Sequence, residues 1–446
     1  MVDDGVVGRR LPTEDGIEPP LSTGVDLWSL GACLAGNFLL RAAASAGGTL
    51  IALYLASLAV AGMSVHARMV GLAGVLFYVA ELIGSPGFGI LSDLRGRKPF
   101  MMLGPGFGAV AVAFILVAPT IPLILLARTF QGLSTASSVP STLSYLSAET
   151  GSSEKLRGRV MGIYEVATIV GMASGFAIGG ILWDSLHQRA FVAVFGLYLA
   201  SGMLLWAIRD RHAIKTRASR LTDSFVFLKS KTALQLVPAW VAVNAIVGLW
   251  FSHLAFQMGK ADDPTQLLVG GFSGKQIGLY TAGFSILFVF GIGAWTATFG
   301  RLRATQIMAI SLSGLVTLVA GLAALNHLTD ADHTQIRLML IVIGASLFVI
   351  SGFTPAALAF LAGLAEEFPD VRGSVMGLYS VFLGVGQLIG SGLGGYFADW
   401  RGVDGMIVFT AILGAVSAFC VYLLARQQRG APSRADRQPA LPTRLH

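Results

Sequence analysis

Charge and cysteine are both scarce in this sequence. Charged residues make up 12% of the 446 residues, against about 25% in soluble globular proteins. This scarcity excludes an ordinary water-soluble domain. The two cysteines, Cys33 and Cys420, lie far apart within apolar runs, so we expect two free thiols and no disulfide framework.

Sequence motifs typical of enzymes and of metal or nucleotide binding are also missing. No phosphate-binding glycine loop, paired metal-ligand motif or Ser-His-Asp set can be argued, so we expect no enzyme, metal or cofactor. The net charge of +7 lies in short loops between apolar runs, which argues against a nucleic-acid partner. Residues 1–27 are polar and lack a signal-peptide core, so we expect a disordered tail there, as at 426–446.

Hydrophobic residues, by contrast, make up 54% of the chain, and 55 residues are glycine. A helix needs about 20 apolar residues to cross a bilayer core. The apolar runs therefore predict an all-α membrane protein with twelve transmembrane helices. The predicted spans lie near residues 29–58, 69–91, 100–118, 120–147, 159–183, 190–208, 236–258, 277–299, 305–325, 337–363, 374–398 and 405–425.

The distribution of Lys and Arg predicts the orientation. With a cytoplasmic N-terminus, 23 of the 31 basic residues fall in cytoplasmic segments and six in outer segments. Because cytoplasmic loops carry an excess of basic residues, we expect both termini in the cytoplasm of a prokaryote, with the chain in its inner membrane. The longest cytoplasmic connection, 209–235, divides the spans into six-helix bundles at 28–208 and 236–425.

An internal repeat relates the two bundles. Residues 157–184 and 372–399 align at a constant offset of 215, and 13 of the 28 positions are identical, including Asp184 and Asp399. The fifth and eleventh spans are therefore copies, and the bundles are pseudo-symmetric parallel repeats. Secondary transporters built in this way bind their substrates near the bilayer midplane, between the repeats. The repeated glycines are Gly171, Gly175, Gly179 and Gly180, with Gly386, Gly390, Gly394 and Gly395 as their copies.

Three motifs resemble those of the major facilitator superfamily. The loop Gly89-Ile-Leu-Ser-Asp93-Leu-Arg95-Gly96-Arg97-Lys98-Pro99 is similar to its signature loop, G-x-L-x-D-x-x-G-R-K. The segment Arg128-Thr-Phe-Gln131-Gly132 resembles its R-x-x-Q-G motif. The Gly171–Gly180 series resembles the G-x-x-x-G-P-x-x-G-G motif of its antiporters, including drug:proton exporters, but Phe176 replaces the proline, as Ser391 does in the second copy.

The resemblance implies the twelve-helix transporter fold and gives the signature loop a role. In the family, this loop latches the two halves together when the site faces outward. Asp93 is expected to accept hydrogen bonds at a helix N-terminus, where negative charge is favoured. Arg97 is expected to pair with an acid, for which Glu149 is our candidate. The glycine series is expected to allow close helix packing.

Ionisable residues inside the predicted spans are the sharper functional signal, because such groups are costly in a membrane. Glu81 and Arg41 lie about 15 and 18 Å from the inner ends of their spans. We expect them to pair or to share a cavity. Glu81 is our first candidate for a proton carrier and Glu165 the second, with a static ion pair as the alternative. The full set of central candidates is Arg41, Glu81, Arg128, Glu165 and Asn244.

Three functions remain open from the sequence. The first is a proton-coupled antiporter that exports a small amphipathic compound or drug. The second is a proton-coupled symporter or facilitator that imports a small metabolite. The third is a receptor or scaffold with a transporter fold. The expected partners are a small-molecule substrate, protons and the lipid bilayer, and we expect a monomer.

Overall fold

The computed structural model describes residues 26–150, 154–210, 231–299, 301–328, 333–365 and 372–430. Most of the predicted tails and much of the predicted 209–235 linker lie outside these ranges, and residues 426–430 continue α12. Long helices dominate the described residues. They are α1 (Leu27–Val60), α2 (Ala67–Arg95), α3 (Arg97–Val117), α4 (Ile121–Glu149), α5 (Glu154–Leu186), α6 (Ala190–Trp206), α7 (Lys231–Gly259), α8 (Gly274–Thr296), α9 (Ala304–Asn326), α10 (His333–Ile350), α11 (Phe353–Ala365) and α12 (Arg372–Gly430).

Length and composition suit these helices to a bilayer. Within the described ranges, nine segments are long and apolar enough to cross a membrane, and three of these contain a break in the helix. Large apolar side chains also lie on the outside of the fold: Val117 is 83% exposed, Phe290 69% and Ile341 67%. Such surfaces suit lipid tails rather than water. The structure therefore confirms an all-helical membrane protein.

One predicted span is divided in the structure, and one predicted break between spans is present. The predicted span 337–363 is divided into α10 and α11 around Ser351 and Gly352. Pro355 contributes to the division, because a proline ring clashes with the carbonyl group four residues earlier and has no N–H to donate. Proline alone does not cause it, since Pro140 at the equivalent place lies inside the unbroken α4. The predicted spans 374–398 and 405–425 are two helical segments within the range α12, because the backbone between them is non-helical at Arg401 and Gly402.

The helices fall into two sets on either side of residues 211–230. We call α1–α6 the N-terminal set and α7–α12 the C-terminal set. The two sets contact each other chiefly through α2 against α12 and α5 against α8, with smaller contacts of α1 and α2 on α7. Within the sets, α5 packs along α1 and α12 packs along α7. The repeated helices therefore occupy equivalent places.

The backbone also follows the internal repeat. His187 has a φ of 51° in the 3₁₀ turn His187–Arg189 that ends α5. Gly402 has a φ of 58° at the kink of α12. These two positions are separated by the same offset of 215 that relates the sequences. Both copies thus leave the helix at the same place.

Candidate functional site

Arg41 lies between two helices that carry acidic residues. Its side chain is within electrostatic range of Glu81 on α2 and of Glu165 on α5. Glu81 is half-buried and Glu165 is exposed. In the part of the chain that the structure describes, no ion pair within 4.0 Å joins Arg41 to either carboxylate, and the Arg41 Nε is buried without a hydrogen-bond partner. The site is therefore one cation shared between two acids without a fixed pair.

Arg128 is held by its own motif on α4. Its Nη1 donates a hydrogen bond of 2.7 Å to Gln131 Oε1, and its guanidinium lies 4.7 Å from the centre of the Phe77 ring. Glycine on α1 provides the room: a Cβ at Gly48 would stand 3.6 Å from Arg128 Nη1, and one at Gly47 would stand 3.0 Å from Gln131 Nε2. The R-x-x-Q spacing thus fixes the guanidinium against α1 and α2.

The two polar amides near the site are bonded differently. Asn244 Nδ2 donates to the Trp240 carbonyl in its own helix at 2.9 Å. Asn37, which the sequence did not single out, is 3% exposed, and its Nδ2 donates to Thr168 Oγ1 on α5 at 2.9 Å. The sequence signal that could have identified Asn37 is a polar amide one turn before Arg41 in an apolar span.

The signature loop turns at Gly96, whose φ of 93° separates α2 from α3. A φ in this region favours glycine over other residues. Ser144 on α4 then joins the two charged residues of the loop. Ser144 Oγ donates to Asp93 Oδ1 at 2.9 Å and accepts from Arg97 Nε at 3.0 Å. The loop is therefore tied to α4.

The acid that pairs with Arg97 is Asp210, where the sequence had suggested Glu149. Arg97 Nη1 lies 3.7 Å from Asp210 Oδ1, and the Arg97 backbone N–H donates to Asp210 Oδ2 at 3.0 Å. Glu149 Oε1 instead accepts the backbone N–H of Asp26 at 2.8 Å. Asp210 follows α6, and nothing in the sequence places the end of α6 beside the start of α3.

The other loop residues have structural neighbours of their own. Gly89 lies against Pro140 of α4, since a Cβ there would stand 3.5 Å from the Pro140 Cβ. The Lys98 Nζ lies 5.9 Å from the centre of the Trp206 ring on α6. Arg95 is the last residue of α2 and is exposed. Asp93 and Arg97 are therefore held by side-chain hydrogen bonds to α4, and Gly96 by its backbone conformation.

The glycine series brings helix backbones together within each set. A Cβ at Gly171, Gly175 or Gly179 would press on the α1 backbone at Phe38, Ala42 and Ala46 respectively. Of the copies, Gly386 and Gly390 meet the α7 backbone at Val241 and Ala245, and Gly394 meets the Leu249 side chain. The predicted role in close packing agrees with this geometry.

An aromatic stack crosses between the two sets at the position where the antiporter motif has proline. The Phe176 ring on α5 lies parallel to the Phe251 ring on α7, with centroids 5.4 Å apart and planes 13° apart. Phe251 in turn meets Phe284 of α8 edge-on at 5.9 Å. Phe176 is half-buried. The substitution of proline thus adds an apolar contact between the sets.

An all-helical membrane fold with ionisable residues held inside its spans defines a polytopic membrane transporter. The family model described as "Major Facilitator Superfamily" matches residues 33–329 and 264–445, which together cover nearly the whole chain. The protein therefore belongs to the major facilitator superfamily, as the three motifs had indicated.

Several curated relatives are similar over most of their length. An uncharacterised MFS-type transporter of Methanocaldococcus jannaschii is 26% identical over 79% of this chain and 88% of its own. The inner membrane transport protein YajR of Escherichia coli is 24% identical over 78% and 73%. Multidrug resistance protein 1 of Bacillus subtilis is 24% identical over 74% and 80%.

Solved structures share the fold. The nucleoside transporter NupG is 13% identical and superposes with a TM-score of 0.71, covering 90% of this chain and 100% of its own. A bacterial homologue of the human lysosomal transporter Spinster is 16% identical, with a TM-score of 0.68 and coverage of 92% and 100%. At these identities the likeness carries the fold alone.

Proposed function

We propose that this protein is a proton-coupled antiporter that exports small amphipathic compounds by alternating access. The observation that carries the proposal is Arg41, which lies in range of both Glu81 and Glu165 and forms a fixed ion pair with neither among the described residues. Charged groups at this depth are costly, so a protein that keeps them generally uses them in its function. When the protonation of Glu81 or Glu165 changes, the Arg41 guanidinium can be attracted by one carboxylate in place of the other.

The proposed topology is that of the sequence prediction. Twelve crossings form two six-helix bundles at 28–208 and 236–425, and the tails 1–27 and 426–446 and the linker 209–235 lie in the cytoplasm. The excess of Lys and Arg in the even-numbered connections supports this orientation. The signature loop then lies on the cytoplasmic face. The opposite ends of the helices form the outer face, and the chain is an inner-membrane protein.

Proton coupling follows from the charges around Arg41. When Glu81 is ionised, it attracts the Arg41 guanidinium, and when a proton neutralises it, that attraction is lost. Arg41 is then left with Glu165 on α5, a helix that packs against both α1 and α8. Proton binding at Glu81 therefore changes the electrostatic force on α5, one of the helices through which the two sets contact each other.

The substrate class follows from the combination of acids and aromatic rings. Glu81 and Glu165 attract cations, and rings such as Phe77 and Phe176 offer flat apolar surfaces. A cation with an aromatic or lipophilic body meets both kinds of group. The relative named Multidrug resistance protein 1 supports this choice.

The second candidate is a proton-coupled importer of a small metabolite. Phe176 and Ser391 favour it, because both copies of the antiporter motif lack the proline. The same charged residues would then carry the proton and the substrate in one direction. The direction of proton flow distinguishes the two functions.

Proton movement in proteoliposomes tests the proposal. Purified protein is reconstituted with an inside-acid pH gradient, and lipophilic cations, neutral drugs and small metabolites are added outside. Under the proposal, a lipophilic cation accumulates inside while the gradient dissipates. Glu81→Gln is expected to abolish this coupling, because a neutral amide cannot release a proton. Glu165→Gln reports whether the second acid is also required.

Asp263→Asn is the matched control. Asp263 lies in the connection between α7 and α8, and its carboxylate accepts hydrogen bonds from the Thr265 hydroxyl and backbone N–H, which lower the pKa of Asp263. The control variant is expected to transport like the wild type. Full proton-driven transport by Glu81→Gln would contradict the assignment of Glu81, and entry of substrate together with protons would support the importer.

A further inference from the structure

A short motif occurs twice at the outer ends of the repeated helices. Gly179-Gly180-Ile-Leu-Trp-Asp184 ends α5, and Gly394-Gly395-Tyr-Phe-Ala-Asp399 occupies the same place in α12. The second glycine and the aspartate stand four residues apart, so both lie on one helix face with the aspartate one turn further out. In both copies that face meets the other set of helices.

In the first copy, α5 reaches the N-terminus of α8. A Cβ at Gly180 would collide with the backbone of Gly274, so only glycine allows this approach. One turn further, Asp184 Oδ1 accepts the Gly274 N–H at 2.7 Å and Oδ2 accepts the Lys275 N–H at 2.8 Å. The carboxylate thus takes the first two free N–H groups of α8. The next N–H, that of Gln276, donates to the Oγ of Ser273, the residue just before α8.

In the second copy, α12 reaches the N-terminus of α2. A Cβ at Gly395 would stand 2.9 Å from the Ala67 carbonyl oxygen. Asp399 Oδ1 accepts the Ala67 N–H at 2.6 Å and Oδ2 accepts the Arg68 N–H at 3.2 Å. Oδ2 also meets Arg68 Nε at 2.7 Å. His66, which precedes α2, makes no side-chain capping bond, so Asp399 is the cap of this helix.

The two copies therefore make the same contact in opposite directions. Each carboxylate accepts the N–H groups of the first and second residues of a helix in the other set. The free N–H groups and the helix dipole make a helix N-terminus favourable for negative charge. A hydrogen bond to a charged group is also stronger than one between neutral groups.

We propose that Asp184 and Asp399 are the two latches of the outer gate. In the alternating-access cycle of the proposed function, the outer face opens only when α5 leaves α8 and α12 leaves α2. Both carboxylates then lose their backbone donors, and two helix N-termini lose their caps. The latches stabilise the outward-closed state, and they act on conformation without touching substrate or proton carrier.

Distance measurements between spin labels test the latches without any substrate. Cys33 and Cys420 are replaced by alanine, and labels are placed at Met63 and Thr334, which are exposed near the outer ends of the two sets. Asp184→Ala and Asp399→Ala are each expected to raise the ratio of outward-open to outward-closed molecules about tenfold, from the loss of charge-assisted hydrogen bonds. Because the sites are separate, the double variant is expected to show about a hundredfold change.

Asp184→Asn and Asp399→Asn keep the size of the side chain and one acceptor, so they are expected to raise the ratio of outward-open to outward-closed molecules by less. They provide a test if the alanine variants do not fold. Asp263→Asn, an outer carboxylate bonded only within its own connection among the described residues, is the control and is expected to leave the distances unchanged. Unchanged distances in the folded double variant would overturn the proposal. The readout needs neither protons nor substrate, so a failure of the proposed transport leaves the test of the latches intact.

Discussion

At the scale of single residues, Arg128 shows how one side chain is made tolerable inside a membrane. Its charge is bonded to Gln131 and lies over Phe77, and two glycines of α1 leave space for it. The bond, the ring contact and the space all depend on the planar guanidinium group. A lysine at this position would keep the charge but lose the planar group.

Arg128→Lys is therefore expected to reduce the rate of substrate transport about tenfold or more. The reason is the loss of a charge-assisted hydrogen bond, which contributes about 1.5–3 kcal/mol. Initial rates in proteoliposomes measure the effect. Arg401→Lys is the control, because Arg401 also lies over a ring, that of Trp400, but is exposed at the kink of α12. Equal rates for both variants would show that the guanidinium of Arg128 is not required.

At the scale of elements, glycine decides how closely α5 approaches α1. A side chain at Gly175 would press on the Ala42 carbonyl group, which is backbone and cannot rotate away. Gly162, on the same helix, has nothing within 4 Å of the place where a Cβ would lie. The two glycines differ only in their neighbours, so they form a matched pair.

Gly175→Leu is expected to destabilise the folded protein by about 2 kcal/mol or more, because the added side chain forces the two helices apart. Gly162→Leu is expected to leave stability unchanged or to raise it slightly, since leucine has a higher helix propensity than glycine. Thermal unfolding in detergent measures both. A Gly175→Leu variant as stable as the wild type would mean that α5 and α1 are not closely packed in the membrane.

At the scale of the whole molecule, the two sets of helices contact each other through six helices and through the carboxylates of Asp184 and Asp399. These contacts are made by described residues within 26–210 and 231–430. The sets should therefore recognise each other without a covalent connection. Residues 1–210 and 231–446, expressed as separate chains in one cell, are expected to co-purify and to restore transport.

Removing both latches is expected to weaken this association, so the yield of co-purified chains should fall for the Asp184→Ala/Asp399→Ala pair. Asp263→Asn again serves as the control. Failure of the unmodified chains to co-purify, with both inserted in the membrane, would mean that the connection is needed to hold the sets together.

The sequence by itself determined the class of protein, the approximate helix bounds and the family. Apolar runs of membrane length, the repeat at an offset of 215 and the near-complete signature loop are local patterns, and they need no knowledge of distant contacts. The four charged residues inside the spans were also visible as costly groups in an apolar setting. The repeat also showed that Asp184 and Asp399 are equivalent residues, but it did not show what they bind.

Only the tertiary structure decided which side chains meet. Asp210 rather than Glu149 pairs with Arg97, and Asn37 lies beside Thr168, because those contacts join helices far apart in the chain. The role proposed for Asp184 and Asp399 depends on the N-termini of α8 and α2, whose backbone N–H groups donate to these carboxylates. Periodicity and hydropathy report each helix alone, whereas a contact between helices depends on how their backbones approach. In this protein that approach is set by glycines, which carry no side chain to indicate a partner.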